Sequence, residues 1–154
     1  MVSINDRKLR LFSLVLAAIG LLDSIYLTWV KIANQYALCG PIGDCESVNS
    51  SQYSEIYGTP IALFGAGAYL IIILLLWLES RGGGWQEYGP MLVFGISFAG
   101  VLYSAYLTYI EIAVLRAICP YCVLSAVALV LLLILTILRL MREQDEFQRE
   151  IMVN

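Results

Sequence analysis

Four cysteines are the residues of this chain best suited to chemistry, and they come as two pairs, Cys39-Gly-Pro-Ile-Gly-Asp-Cys45 and Cys119-Pro-Tyr-Cys122. Glycine and proline between the first two sulfurs favour a tight turn that brings thiols together. The second pair has the C-x-x-C redox spacing: at a helix start, residues i and i+3 share a face, so a readily exchanged disulfide can form. Pro120 suits the first helical position, which makes Cys119 the expected N-cap and sets Cys122 in the first turn. There, free N–H groups and the positive end of the helix dipole favour a thiolate. Arg116 would add to that field. The chain has no histidine, so His-based acid–base catalysis and His metal ligation are excluded and sulfur must carry the reaction. A four-cysteine zinc site has the right count, but the step from Cys39 to Cys45 is longer than a zinc knuckle allows. Val123 after Cys122 removes the covalent-haem motif. No metal centre is expected. Structural disulfides stay open as an alternative, although a C-x-x-C bridge at a helix start staples almost nothing.

The elements that position these sulfurs are membrane spans. Of 154 residues, 60% are hydrophobic and 14% charged, with a mean hydropathy of +0.81, which exceeds what a soluble core of this size needs. Apolar runs cover residues 9–32, 60–78, 91–112 and 118–140, each near the roughly 20 residues that cross a hydrocarbon layer of about 30 Å. The expectation is an all-α integral membrane bundle of four helices over residues 1–142, with 143–154 as a charged cytoplasmic tail. Arg7, Lys8, Arg10, Arg81, Arg139, Arg142 and Arg149 fall on one side, and only Lys31 and Arg116 on the other. The positive-inside bias therefore puts both termini in the cytoplasm and the cysteines on the outer face of a plasma or inner membrane. Arg7 to Arg10 followed by an apolar run also has the form of a cleavable signal peptide. The run continues to Ile32 without a small-residue cleavage site, so it is read as a retained span.

An internal repeat supports this topology. Residues 20–32, GLLDSIYLTWVKI, align without a gap on residues 100–112, GVLYSAYLTYIEI, with seven of thirteen positions identical. Cys39 and Cys119 keep the same offset of 80 residues. An offset of two spans gives copies of the same orientation, which deliver both cysteine pairs to one membrane face. Gly20, Ser24, Gly100 and Ser104 have the spacing of small-residue packing seams. Asp23, an acid inside the first span, is a functional candidate or a packed polar contact. Residues 45–57 mix Val48, Tyr53, Ile56 and Tyr57 with polar residues, a pattern for a short interfacial helix in the first outer loop.

Two sulfur pairs in series imply a relay, and a relay needs a terminal acceptor. With no haem or flavin motif, a lipid-soluble quinone in the bilayer is the simplest one; no nucleic-acid partner is expected.

At this point the chain resembles the vitamin K epoxide reductase family, bacterial type, along nearly its whole length. The resemblance rests on Gly20 to Tyr26, the pair Cys39 and Cys45, Ser51, Gly58-Thr59-Pro60, and Cys119-Pro-Tyr-Cys122. It implies that Cys39 and Cys45 are a shuttle pair, that Cys119 and Cys122 are the quinone-side pair, and that Ser51 and Cys122 lie against a bound ubiquinone or menaquinone. DsbB-type oxidases, also of four helices and two pairs, carry C-x-x-C in the first loop, the reverse of the order here. Ala126 stands where the vertebrate enzymes have tyrosine, and the second span lacks their asparagine, so the resemblance implies a thiol oxidase rather than an epoxide reductase. Many bacterial relatives continue into a thioredoxin-like domain; a chain ending at Asn154 implies a separate thioredoxin-like, DsbA-type electron donor. The activity expected is quinone-coupled thiol oxidation in support of disulfide formation, the alternative being a noncatalytic membrane protein with structural disulfides.

Overall fold

The computed structural model describes residues 4–35, 37, 39 and 43–153. Its main elements are α1 (Ile4–Ile32), a short α2 (Cys45–Asn49), β1 (Glu55–Ile56), β2 (Thr59–Pro60), α3 (Ile61–Ser80), α4 (Trp85–Ile110) and α5 (Pro120–Val153). Within α1, α3, α4 with its continuation to Leu115, and α5 lie four segments long and apolar enough to cross a membrane, and the chain is a multi-pass membrane protein. Apolar side chains such as Leu22, Leu70, Leu102 and Val127 stay exposed around the bundle, as helices solvated by lipid require.

α1 packs against α3 and α5, and α4 packs against the same two. The two repeat copies, at the ends of α1 and α4, therefore occupy one diagonal of a square. Polar bonds cross the other diagonal: Tyr69 Oη of α3 donates to the Ser125 carbonyl of α5 at 2.9 Å and lies 2.9 Å from its hydroxyl. Around Tyr69 the core is built from Ala17, Ile72, Leu76, Val93, Leu129 and Leu132. Gly20 is required by that packing, because a Cβ there would overlap the Tyr69 ring. Ser24 packs one turn on, its hydroxyl 3.2 Å from where a Cβ of Gly65 would be. The first copy of the expected small-residue seam, Gly20 and Ser24, thus packs against α3.

At the end of the bundle away from the cysteines, Arg139 is 2% exposed and pairs with two acids. Its Nη2 and Nη1 donate to Glu79, the latter at 3.3 Å, and its Nε donates to Asp6 at 2.9 Å. A charge buried this deeply is tolerated only when paired. The cluster ties α1, α3 and α5 together.

Three details depart from the sequence expectations. First, α5 continues to Val153, because residues 141–153 are strong helix formers without Gly or Pro; the tail prolongs the last span. Second, α4 begins at Trp85, six residues before the expected 91, and carries the buried Pro90 inside it. Third, the loop helix is only five residues long, and a two-residue antiparallel ribbon follows, pairing Glu55 with Pro60 and Ile56 with Thr59. Tyr57 (φ 50°) and Gly58 (φ 76°) turn it, both in the left-handed region that two-residue hairpins use.

Candidate redox site

Both loops that carry cysteines lie at one end of the bundle, and each is folded by a local device. Cys39 and Cys45 are joined in a disulfide with Cα atoms 6.0 Å apart. The Gly40-Pro41-Ile42 turn expected between them lies outside the described residues. Asp44 caps α2: its carboxylate accepts from the Ser47 N–H at 3.1 Å and the Ser47 hydroxyl at 2.6 Å. These bonds hold its carboxyl below the usual carboxylate range.

The first loop docks directly on the second pair. The Asp44 N–H donates to the Ile118 carbonyl at 3.1 Å, joining the residues that immediately precede Cys45 and Cys119. Gly43 makes this approach feasible, since a Cβ there would come within 2.6 Å of Pro120 Cδ and 3.3 Å of the Ile118 oxygen. Cys45 and Cys119 are each 1% exposed. Lys31, at the end of α1, clamps the same loop: its ammonium donates to the Asn49 carbonyl and to Ser54 Oγ at 2.8 Å, and pairs with Glu55 at 3.0 Å.

The second pair sits where the sequence puts it. α5 begins at Pro120, and the Cys119 carbonyl accepts the first-turn bond from Val123 N–H at 3.1 Å. Cys119 and Cys122 are free thiols. The thiolate assignment differs from expectation, which gave the helix-start field to Cys122. Cys119 is held below the ordinary thiol value, chiefly by a hydrogen bond from the Cys122 thiol and then by the N–H groups of Cys122 and Tyr121; burial and the Glu111 charge oppose this. An N-cap side chain faces the free amides of the first turn, whereas a residue within that turn points away from them. Arg116 is exposed and contributes through its backbone, as described next.

Glu111 is the site residue that the sequence reading missed. α4 widens at its end into a π turn, Glu111–Leu115, closed by Arg116 in the left-handed region (φ 51°). The N–H groups of Arg116 and Ala117 both return to the Glu111 carbonyl, the latter at 3.0 Å. Glu111 is 4% exposed, its Oε2 accepts from the Cys119 N–H at 3.2 Å, and it lines the same cavity as Cys122. π turns of this kind are frequent at functional sites. The signal was in the repeat, where Glu111 aligns with Lys31: the same position in both copies carries a charged side chain that reaches into the loop region.

Beside the sulfurs lies a cavity of about 450 Å³ lined by Cys119, Cys122, Glu111 and Ser51, by Asp23 of α1, and otherwise mostly by apolar side chains of α3, α4 and α5. Its volume is ordinary for a small-molecule site. Asp23 is 7% exposed, and among the described residues neither of its carboxyl oxygens has a hydrogen-bond partner. Buried polar atoms are normally paired, so a packed polar contact does not account for it. Ser51 Oγ donates to the Val48 carbonyl at 2.7 Å, which leaves its lone pairs rather than its proton toward the cavity. The structure thus brings the four cysteines and Ser51 to one end of the bundle, sets the sequence candidate Asp23 on the cavity wall, and adds Glu111 and Lys31.

The chain is 33% identical over 111 residues to the thiol-disulfide oxidoreductase LTO1 of Arabidopsis thaliana, a match that takes in 68% of this chain and 29% of that relative. The chain therefore spans less than a third of the relative's length. Residues 11–137, which include all four spans in large part and all four cysteines, match the vitamin K epoxide reductase family, and the chain belongs to that family.

Proposed function

We propose that this protein is a quinone-coupled thiol oxidoreductase that regenerates disulfides in a thioredoxin-like, DsbA-type partner outside the membrane. In this reading Cys39 and Cys45 exchange with the partner, Cys119 and Cys122 form the inner pair, and the cavity holds ubiquinone or menaquinone against Cys122 and Ser51. Both termini face the cytoplasm, and residues 1–142 act as the redox unit with 143–154 as its cytoplasmic extension. The observation that most supports the reading is the bond from the Asp44 N–H to the Ile118 carbonyl, between the residues that precede Cys45 and Cys119, with Cys119 and Cys122 on the wall of a mostly apolar cavity. A scaffold reading is not favoured, because the Cys39–Cys45 bridge spans a sequence separation of only 6 and Cys119 and Cys122 are unbridged.

The residues suit a quinone. A mostly apolar cavity accepts a lipid-soluble ring, and the Asp23 carboxyl on its wall, when protonated, can donate to a carbonyl oxygen. When bound, a quinone accepts two electrons and two protons. The chain's own part is thiol–disulfide exchange, one sulfur at a time. A partner thiolate attacks the Cys39–Cys45 disulfide, and the partner's second thiolate resolves the mixed disulfide, leaving both cysteines reduced. The Cys45 thiolate then attacks Cys119 of an oxidised inner pair and Cys122 leaves as thiolate; Cys39 attacks Cys45 and frees Cys119. Disulfide outside and dithiol inside, the pairing present here, is the state that results.

The test uses the purified protein in detergent with a reduced thioredoxin-like protein and ubiquinone or menaquinone analogues. Quinone reduction should need all four cysteines. In Cys39→Ser/Cys122→Ser, mild oxidation with copper phenanthroline should join Cys45 to Cys119, visible after proteolysis between the two halves as fragments that separate only on reduction. Fragments that separate without reductant, or a Cys122→Ser protein that reduces quinone at the parental rate, would overturn the relay.

A further inference from the structure

The Cys122 thiol has one proton and two acceptors. The side chains that act on it are the Cys119 sulfur and the Glu111 carboxylate, and Glu111 is held at the pair by the Cys119 N–H at 3.2 Å, on the wall of the same cavity as Cys122. A carboxylate is an unusual neighbour for a thiol that must become a thiolate, since its charge opposes a second negative charge beside it. As an acceptor of that thiol's proton it is well placed, at hydrogen-bond reach. The backbone is shaped to bring the two together. Glu111 itself keeps α-helical angles; the π turn and the left-handed Arg116 after it fold the following chain back, so that the Cys119 N–H reaches its carboxylate.

We propose that Glu111 is the general base for the inner cysteine pair, taking the Cys122 proton as the Cys119–Cys122 disulfide forms. The inference rests on the thiol-oxidoreductase reading above and assigns it a further residue. The step balances. Cys119 thiolate, Cys122 thiol and Glu111 carboxylate give the Cys119–Cys122 disulfide, protonated Glu111 and two electrons. The S–H bond breaks and the S–S bond forms. The electron pair goes to the quinone acceptor with the proton from Glu111, and the acceptor's second proton comes from water. Glu111 returns to carboxylate and is ready for the next cycle. The other titratable groups facing this cavity are Asp23 of α1, Tyr53 of the loop, Tyr69 of α3 and Tyr103 of α4. Asp23 is the one of these that could compete as a base near neutral pH.

The test is Glu111→Gln, which keeps an oxygen for the Cys119 N–H and removes the basicity, with Asp23→Asn as the comparison. Oxidation of the prereduced inner pair by a soluble ubiquinone analogue should slow by about 10²-fold or more at pH 7, the scale of a positioned general base. It should recover as pH rises and Cys122 ionises unaided. A quinone-free arm follows alkylation of Cys122 by iodoacetamide in a Cys119→Ser background. Adding Glu111→Gln there should abolish the base-assisted rate at neutral pH and leave a rate that follows thiolate formation alone, while Asp23→Asn keeps the neutral-pH rate. Dithiol reduction of Cys39–Cys45 should proceed at the parental rate. Unchanged alkylation and oxidation profiles in Glu111→Gln, a deficit that high pH does not restore, or a profile that moves with Asp23→Asn instead would each overturn the assignment. If no variant, the parental protein included, reduces quinone, the function proposed above fails, and the alkylation arm still decides the role of Glu111.

Discussion

The two glycines that open the repeat make different demands, and replacing each by alanine should separate them. At Gly20 a Cβ would overlap Cζ and Cε1 of Tyr69 and lie 2.7 Å from Cε2. The ring is 1% exposed and its hydroxyl is held by Ser125 at 2.9 Å, so it cannot retreat freely. Forcing a methyl into such a site costs about 1–3 kcal/mol. If the ring withdraws and its hydroxyl loses Ser125, an unsatisfied buried group adds about 1–3 kcal/mol. Alanine's helix propensity offsets about 1 kcal/mol, which leaves Gly20→Ala destabilised by about 1–5 kcal/mol when both costs apply. At Gly100 the nearest atoms to the Cβ would be Cδ1 and Cδ2 of Leu129, both at 3.1 Å, with its Cγ at 3.7 Å. Those methyls are the rotatable end of a side chain, and the same propensity gain should hold Gly100→Ala within about 1 kcal/mol of the parent. Denaturant unfolding in detergent, followed by circular dichroism, reads both. Tyr69→Phe should soften the Gly20→Ala penalty by freeing the ring, a coupling of about 0.5–3 kcal/mol in a double-mutant cycle. Equal costs at the two glycines, or strict additivity with Tyr69→Phe, would refute the packing argument.

Two further outcomes are expected. Lys31→Met removes a charged donor from Asn49 and Ser54, contacts of a kind worth about 1.5–3 kcal/mol. Amide hydrogen-exchange protection over residues 45–56 should fall by about tenfold or more, and unchanged protection would show that the loop is held otherwise. For Cys119 the shift is downward from the ordinary thiol value of 9.0, so thiolate persists below that pH. Its alkylation in the reduced protein should reach half-maximum below pH 9, and Cys122→Ala, which removes the leading cause, should raise the midpoint; a midpoint that stays or falls would contradict it.

The spans were legible because lipid leaves a chain little choice: an apolar run of this length must be a helix that satisfies its own backbone. The meeting of the two cysteine pairs was legible as well, through the shared offset of 80 residues between Cys39 and Cys119. Less visible was what the charges do. Lys31 and Arg139 entered the sequence reading as signs on either side of a membrane, yet the fold uses Lys31 to clamp the loop and buries Arg139 between Glu79 and Asp6. Neither use has a local pattern, since each joins residues far apart in sequence. Glu111 escaped for another reason. The return of Cys119 to its carboxylate depends on the π turn and the left-handed arginine that follow Glu111, a conformation that the arginine side chain gives no cause to expect. The ribbon turn at Tyr57 was hidden in the same way.

The Arg139 cluster also constrains the order in which the molecule can be assembled. Its bonds span sequence separations of 60 residues to Glu79 and 133 to Asp6, so neither acid has this partner until the last helix has entered the bilayer. Helices that insert separately associate afterwards, and a chain halted before α5 would hold two carboxylates and no arginine to meet them. Completion of synthesis is thereby written into the packing: the bundle becomes electrically consistent only when its final span arrives, and a truncated product carries an uncompensated acid that a quality-control protease can find.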